Sequence, residues 1–248
     1  EALRAERVWQ ETVKALGAER PDVYFTTLRD CSALERVFPE VDALFGVPQP
    51  ERWHPEIDTG VHTLMALRAA AALSTSEVVR FAVLTHDLGK GTTPTELLPK
   101  HLGHEQRSEE LLLALCSRLP VPNRYRDLAL LVARHHGVVH KATELKPQTV
   151  LRIIMAADGI RQPARFEEFL LACEADARGR KGLEDRTYPQ AEQWRVALRA
   201  ARSVDAGKVR AERNVEGEAL GKALHDERLA AIKAALKSTP LAAVDQEE

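Results

Sequence analysis

An apolar helix that ends on two polar, metal-ligating residues sets the strongest condition on how this chain can fold. The stretch Phe81-Ala-Val-Leu-Thr-His-Asp-Leu-Gly-Lys-Gly91 puts His86 and Asp87 side by side on what is otherwise a core-type helix. Removing an ionised carboxylate from water costs several kcal/mol unless a cation or a partner faces it. The fold must therefore gather compensating groups around this helix end, and a bound metal is the simplest candidate.

Nearly every segment reads as helix. Aromatic residues make up only 5% of the 248 residues, while Ala and Leu are abundant, and no stretch alternates with β-branched enrichment. The pattern predicts helices over Ala5–Leu16, Pro21–Val37, Asp58–Leu73, a segment opened by Ser74 that carries His86-Asp87 near its end, Glu105–Arg118, Asn123–His136 and Pro147–Asp158. Ser74 and Glu77 have the spacing of a capping box. The proline-rich stretch from Phe45 to Pro55 reads as a surface loop or a joint between domains. After Pro163 the chain becomes more charged, and Leu241 to Glu248 are expected to fray.

Composition excludes little else. A hydrophobic content of 44% with 29% charged residues is that of a globular protein, and a net charge of −2 gives no global reason to bind nucleic acid. No apolar run reaches bilayer length, and the first residues are not a signal peptide. Cys31, Cys116 and Cys173 are odd in number and far apart, which suits reduced thiols in the cytoplasm.

Other positions repeat the anomaly of the opening pair. His62 shares a helical stripe with Met65, Ala66, Ala69 and Leu73, and Asp158 follows Leu151, Ile154 and Met155 at helical spacing. His136 lies one turn after Val132, and His104 opens the stripe Ser108, Leu111, Leu112, Leu115. Each has a plainer explanation: a single inward histidine is more often a hydrogen-bonded core residue, and Asp58 reads equally well as a helix N-cap. His101, His140 and His225 read as solvent-exposed, and of the tandem His135-His136 the second is the preferred inward residue. The case is collective. His62, His86, Asp87 and Asp158 would each need a separate partner in a dry interior, whereas one cation satisfies all four.

Mixed imidazole and carboxylate ligands favour Mn, Fe, Co, Ni or Zn, with Mg possible where water completes the shell. No cysteine lies near the cluster in sequence, which argues against a structural zinc site. Such a centre activates water and polarises a phosphoryl oxygen. Lys90, one turn from His86, is placed to bind a phosphate oxygen as a point charge, although a lysine in a last helical turn also complements the helix dipole.

The order His62, His86-Asp87, Asp158 on an all-α background resembles the HD phosphohydrolases. The stretches Arg29-Asp-Cys-Ser-Ala-Leu34, Phe38 to Pro48, Trp53 to Met65, His86 to Gly91 and Glu174-Ala-Asp-Ala-Arg-Gly-Arg180 resemble more closely the C-terminal part of bacterial CCA-adding enzymes of the HD-containing type. The resemblance implies an HD-domain helical bundle over residues 59–160, flanked by a helical body segment, 1–58, and a helical tail, 161–248. It implies metal ligands at His62, His86, Asp87 and Asp158, with His104 and His136 supporting a second ion, and His86, Asp87 and Lys90 as catalytic residues. It further implies magnesium or nickel, hydrolysis of 2′,3′-cyclic phosphates, 2′-nucleotides and phosphate monoesters, and tRNA as partner. The nucleotidyl-transfer motifs of the family's N-terminal head do not occur, so the expectation is a C-terminal portion unable to add CCA.

Two other readings compete. The first is a helical tRNA-binding module with a structural metal site. Its basic residues Arg178, Arg180, Lys181, Arg186, Arg195, Arg199 and Arg202 are interspersed with acidic ones, and alone they read as a solvated face. The second is a nucleotide-sensing or deoxynucleotide-hydrolysing HD protein, disfavoured by the stretch from Trp53 to Met65.

Overall fold

The computed structural model describes residues 4–238, and among these every regular element is helical. The expected fraying of the last residues lies outside this range. The helices are α1 (Ala5–Leu16), α2 (Pro21–Asp30), α3 (Leu34–Val37), α4 (Pro39–Asp42), α5 (Thr59–Leu73), α6 (Glu77–Thr85), α7 (His104–Arg118), α8 (Asn123–Val139), α9 (Pro147–Ala156), α10 (Pro163–Arg178), α11 (Pro189–Arg202), α12 (Ala206–Arg213) and α13 (Gly217–Ser238). Short 3-10 turns fill Leu88–Thr92, Thr95–Leu97 and Ala142–Glu144.

Several boundaries differ from the sequence pattern, and α8 runs on to Val139 while α9 stops at Ala156. The helix expected over Pro21–Val37 breaks after Asp30, because Ser32 takes a left-handed backbone (φ 57°) and α3 restarts at Leu34. Ser74 closes α5 instead of opening α6, which starts at Glu77. Asp58 is the N-cap of α5: its Oδ1 accepts from the Val61 amide at 2.9 Å, and its Oδ2 accepts from the Gly46 amide at 2.6 Å.

The chain divides into two compact units that cut across the boundaries expected from sequence. One comprises Glu1–Gly137 with Leu171–Thr187, the other Val138–Leu170 with Tyr188–Glu248.

In the first unit, Trp9, Phe81 and Tyr125 meet edge to face at centroid distances of 5.1 to 6.0 Å. Phe25, Phe38, Leu67, Leu84 and Leu88 are fully enclosed around them. Arg80 is buried in this core, and all three of its guanidinium nitrogens donate. Its guanidinium donates to the carbonyls of Leu16 (2.5 Å), Ala18 (2.8 Å), Ser74 (3.0 Å) and Ala71 (3.2 Å), so one side chain caps the C-terminal ends of α1 and α5. Burial pulls its pKa down, but a guanidinium remains charged throughout the physiological range.

In the second unit the core is built on Phe166, Phe169 and Trp194. The Trp194 indole N–H donates to the Val139 carbonyl at 3.1 Å, and His140 Nδ1 meets the Tyr188 hydroxyl at 2.9 Å.

Candidate metal centre

The first unit encloses four imidazoles, and all four are oriented in the same way. His86, the C-cap of α6, has Nδ1 2.6 Å from the Val83 carbonyl. His104, the first residue of α7, has Nδ1 2.8 Å from the His101 carbonyl. In His136 on α8 the same atom lies 3.0 Å from the Val132 carbonyl, and in His62 on α5 it lies 3.2 Å from the Gly179 carbonyl. A carbonyl oxygen only accepts, so each Nδ1 carries a proton, and each Nε2 faces the other side, where it donates to a carboxylate when protonated and ligates a cation when not.

The four Nε2 atoms converge on two carboxylates, and His62 Nε2 hydrogen-bonds to Asp176. His86 Nε2 lies 3.1 Å from Asp87 Oδ2 and 3.6 Å from Asp176 Oδ1. His62 Nε2 is 2.9 Å from Asp176 Oδ1, while His104 and His136 Nε2 stand 3.4 and 3.5 Å from Asp87 Oδ1. His86 Nε2, His104 Nε2 and Asp87 Oδ1 have no hydrogen-bond partner among the described residues, although Asp87 is only 1% exposed.

Acceptor facing acceptor is repulsive unless a cation lies between. Ligand atoms about 2.1 Å from one divalent ion stand about 3 to 3.5 Å apart, which matches these separations. The donor set therefore fits a divalent metal. Three groupings among the described residues lie within ligating reach of a shared ion: His62 with His86 and Asp176, His86 with Asp87 and His136, and His54 with Glu56 and His62.

With no cation present, the carboxylates act on the ring instead, and a proton on His86 takes the place a cation would hold. Burial alone would lower the His86 pKa, but the charges of Asp87 and Asp176 outweigh it and push the ring up to about 10. For Asp87, burial acts upward, yet His86 and the Lys90 ammonium hold its carboxyl well below the usual carboxylate range. The Lys90 ammonium is 2.6 Å from Asp87 Oδ2 and donates to the Gln49 side-chain oxygen, also at 2.6 Å. The Gln49 NH2 group is buried and has no acceptor among the described residues.

Local sequence explains the placement. The chain leaves α6 through a tight 3-10 turn at Leu88–Thr92, and Gly89 permits it. A Cβ at Gly89 would sit 2.2 Å from the His104 carbonyl oxygen and 2.5 Å from the Ser108 nitrogen. Without one, the turn seats directly on the start of α7, and the Gly89 amide donates to the Ser108 hydroxyl at 2.8 Å. Gly179 plays the matching part beside α5, where a Cβ would fall 2.3 Å from Ala66 Cα.

Of the residues expected at the site, His62, His86, Asp87, Lys90, His104 and His136 are brought together. Asp158 is not. Helix α9 ends at Ala156, two residues before it, and Asp158 takes a left-handed backbone (φ 52°) in a Schellman ending. There its own amide bonds to the Met155 carbonyl and the Gly159 amide to that of Ile154. The side chain so leaves the apolar stripe and accepts from Arg161 at 2.7 and 3.0 Å and from Gln162 at 2.8 Å, which lowers its pKa. No metal-capable grouping among the described residues includes it.

The acidic partner in the cluster is Asp176 on α10. It lies four residues after Ala172 and three after Cys173, both fully buried, so its stripe carries the same signal that singled out Asp158. The proline-rich loop was also underread. It is a wall of the site, with Gln49 2% and His54 9% exposed. His101 is not simply solvated: its ring bridges the Thr93 hydroxyl (2.8 Å) and the Pro48 carbonyl (3.1 Å), while its own carbonyl orients His104.

Comparison with known proteins gives this geometry a setting. Residues 59–161 match the HD domain, and residues 1–45 match the probable RNA and SrmB-binding site of polymerase A. The sequence is 57% identical over 233 residues to a multifunctional CCA protein of Thioalkalivibrio sulfidiphilus, covering 94% of this chain and 57% of that one. Similar relatives with the same name occur in Nitrosococcus oceani (55% over 234 residues) and Burkholderia cenocepacia (54% over 236), with 94% and 95% of this chain and 57% of each relative covered. The chain thus spans a little over half the length of the curated relatives it matches. Among the described residues no helix is long and apolar enough to cross a membrane.

Proposed function

We propose that this chain, which carries an HD domain and is similar over nearly all its length to multifunctional CCA proteins, corresponds to the C-terminal part of an HD-containing CCA-adding enzyme and is a divalent-metal-dependent phosphohydrolase of the tRNA 3′ end. Its substrates are 2′,3′-cyclic phosphates, 2′-nucleotides and phosphate monoesters, its metal magnesium or nickel, and its compartment the cytoplasm. The observation that carries this reading is the common orientation of the four imidazoles, with Nδ1–H committed to carbonyls and Nε2 aimed at Asp87 and Asp176.

His62, His86, Asp87 and Asp176 would hold one ion, and His104 and His136 extend the donor set around Asp87 towards a second. When bound, a divalent cation supplies Lewis acidity, polarising a phosphoryl oxygen and making water a nucleophile at neutral pH. The protein's own groups do the rest. Lys90, fixed between Asp87 and Gln49, offers a positive charge to a non-bridging oxygen and stabilises charge that builds in the transition state. The Gln49 amide adds a neutral donor beside it. The enclosed walls keep both interactions strong by excluding water.

Hydrolysis of 2′,3′-cyclic AMP and p-nitrophenyl phosphate with added Mg²⁺ or Ni²⁺, for the native chain and Asp87→Ala, tests this. Metal-dependent turnover that falls to background in the variant is expected. Absent turnover, or equal turnover in both proteins, overturns it.

The match of residues 1–45 to an RNA-binding region favours a second activity on the same chain, tRNA binding. Salt-dependent tRNA binding that survives Asp87→Ala is its test.

A further inference from the structure

Glu56 stands outside the ligand set described above, yet it has the most deliberate environment in the loop before α5. Its Oε1 lies 3.0 Å from His54 Nδ1 and 2.9 Å from His62 Nδ1, and its Oε2 accepts from the Lys181 amide at 3.2 Å. The Glu56 side chain is 2% exposed and His62 is fully buried, with the His54 ring stacked edge-on against His62 at a centroid distance of 4.6 Å.

His62 is the imidazole that most needs an external anchor. The carbonyls that fix His86, His104 and His136 come from residues three or four positions away in the chain. The carbonyl facing His62 belongs to Gly179, 117 residues distant, at the longest of the four separations, 3.2 Å. An anionic oxygen at 2.9 Å is the stronger acceptor for the same N–H.

We propose that Glu56 is the positioning residue of His62: its carboxylate, itself held by His54 and the Lys181 amide, fixes the proton on Nδ1 and turns the Nε2 lone pair onto the metal centre. This rests on the reading of the cluster as a divalent-metal site. An alternative use of the same atoms, an ion held among His54, Glu56 and His62, would require a bare Nδ1 on His62. That nitrogen faces the Gly179 carbonyl as well as Glu56, and a bare Nδ1 would send the ring's proton to Nε2, against the metal centre. One imidazole cannot serve both arrangements, and the Gly179 carbonyl selects the first.

Two measurements on the full chain test it. In the metal-free protein, ¹⁵N NMR of the His62 ring reports the tautomer. The Nδ1–H form is expected in the native chain, and a mixture in Glu56→Ala. Mn²⁺ titration followed by electron paramagnetic resonance reports affinity and stoichiometry. Glu56→Ala is expected to weaken binding about 10- to 100-fold with the number of ions unchanged. Glu56→Gln preserves size and an accepting oxygen, so it should recover most of that loss, and it keeps the test open should Glu56→Ala fold poorly. An unchanged tautomer together with native Mn²⁺ affinity overturns the proposal, as does the loss of one bound ion in Glu56→Ala, which would make Glu56 a ligand. A native chain that binds no Mn²⁺ but shows the Glu56-dependent tautomer defeats the metal-site reading and leaves the positioning role standing.

Discussion

Asp176 in the first unit and Asp158 in the second pose the same problem in sequence and resolve it in opposite ways. Both follow apolar residues at helical spacing. Asp176 stays inside its helix, 3% exposed, and faces the ring nitrogens of His62 and His86. Asp158 falls just past the end of α9, where a left-handed residue turns its carboxylate back onto Arg161 and Gln162. His140 in the second unit likewise pairs with the neutral Tyr188 hydroxyl, whereas His86 and His104 keep Nε2 without a hydrogen-bond partner. An inward position is therefore not enough to make a ligand. What distinguishes a binding centre is polar capacity that the surrounding protein leaves unused.

Breaking this contrast gives the largest expected effects. Asp176→Ala should lower Mn²⁺ affinity by more than about 100-fold, beyond the range typical of an orienting partner. Asp158→Ala should change it less than about twofold, and equal losses in a direct titration would show that the contrast is false. Lys90→Met should reduce kcat/KM for 2′,3′-cyclic AMP by about 10²-fold, with Mn²⁺ stoichiometry retained in steady-state and binding assays run side by side.

Arg80→Met separates structural from functional burial within the first unit. It leaves the carbonyls of Leu16, Ala18, Ala71 and Ser74 without their donor, so urea unfolding should show a loss of about 2 to 4 kcal/mol. The smallest effect falls in the second unit. Trp194→Phe removes the single bond to Val139, should cost about 1 kcal/mol, and should leave metal affinity untouched.

Much of the centre is legible because His62 and His136 sit on helices whose apolar periodicity fixes their direction, while His86, Asp87 and His104 lie at or just past helix ends that apolar stripes lead into. Asp176 is hard to read from sequence because the charged composition after Pro163 masks its stripe of Ala172 and Cys173. Asp158 misled because periodicity does not report where a helix stops, and α9 ends two residues too early. Gln49 and Glu56 lay in a loop, where no period links a residue to its neighbours. Their roles depend on contacts with Lys90, 41 residues away, and with His62, which spacing cannot reveal. The helix boundary at Ser32 was hidden for a similar reason, since a left-handed serine has no strong composition signal.

The tethering of each imidazole Nδ1 to a carbonyl bears on how folding and loading are linked. The rings are held by backbone carbonyls that belong to the fold itself, so their rotation is restricted by the protein's own hydrogen bonds. A cation arriving afterwards meets donors whose conformational entropy was surrendered earlier, so little of its binding free energy goes into ordering them. Chelation should therefore empty the centre while leaving the helices in place, and the ion should behave as an exchangeable guest of a finished structure, unlike the metal of a zinc finger, on which folding itself depends.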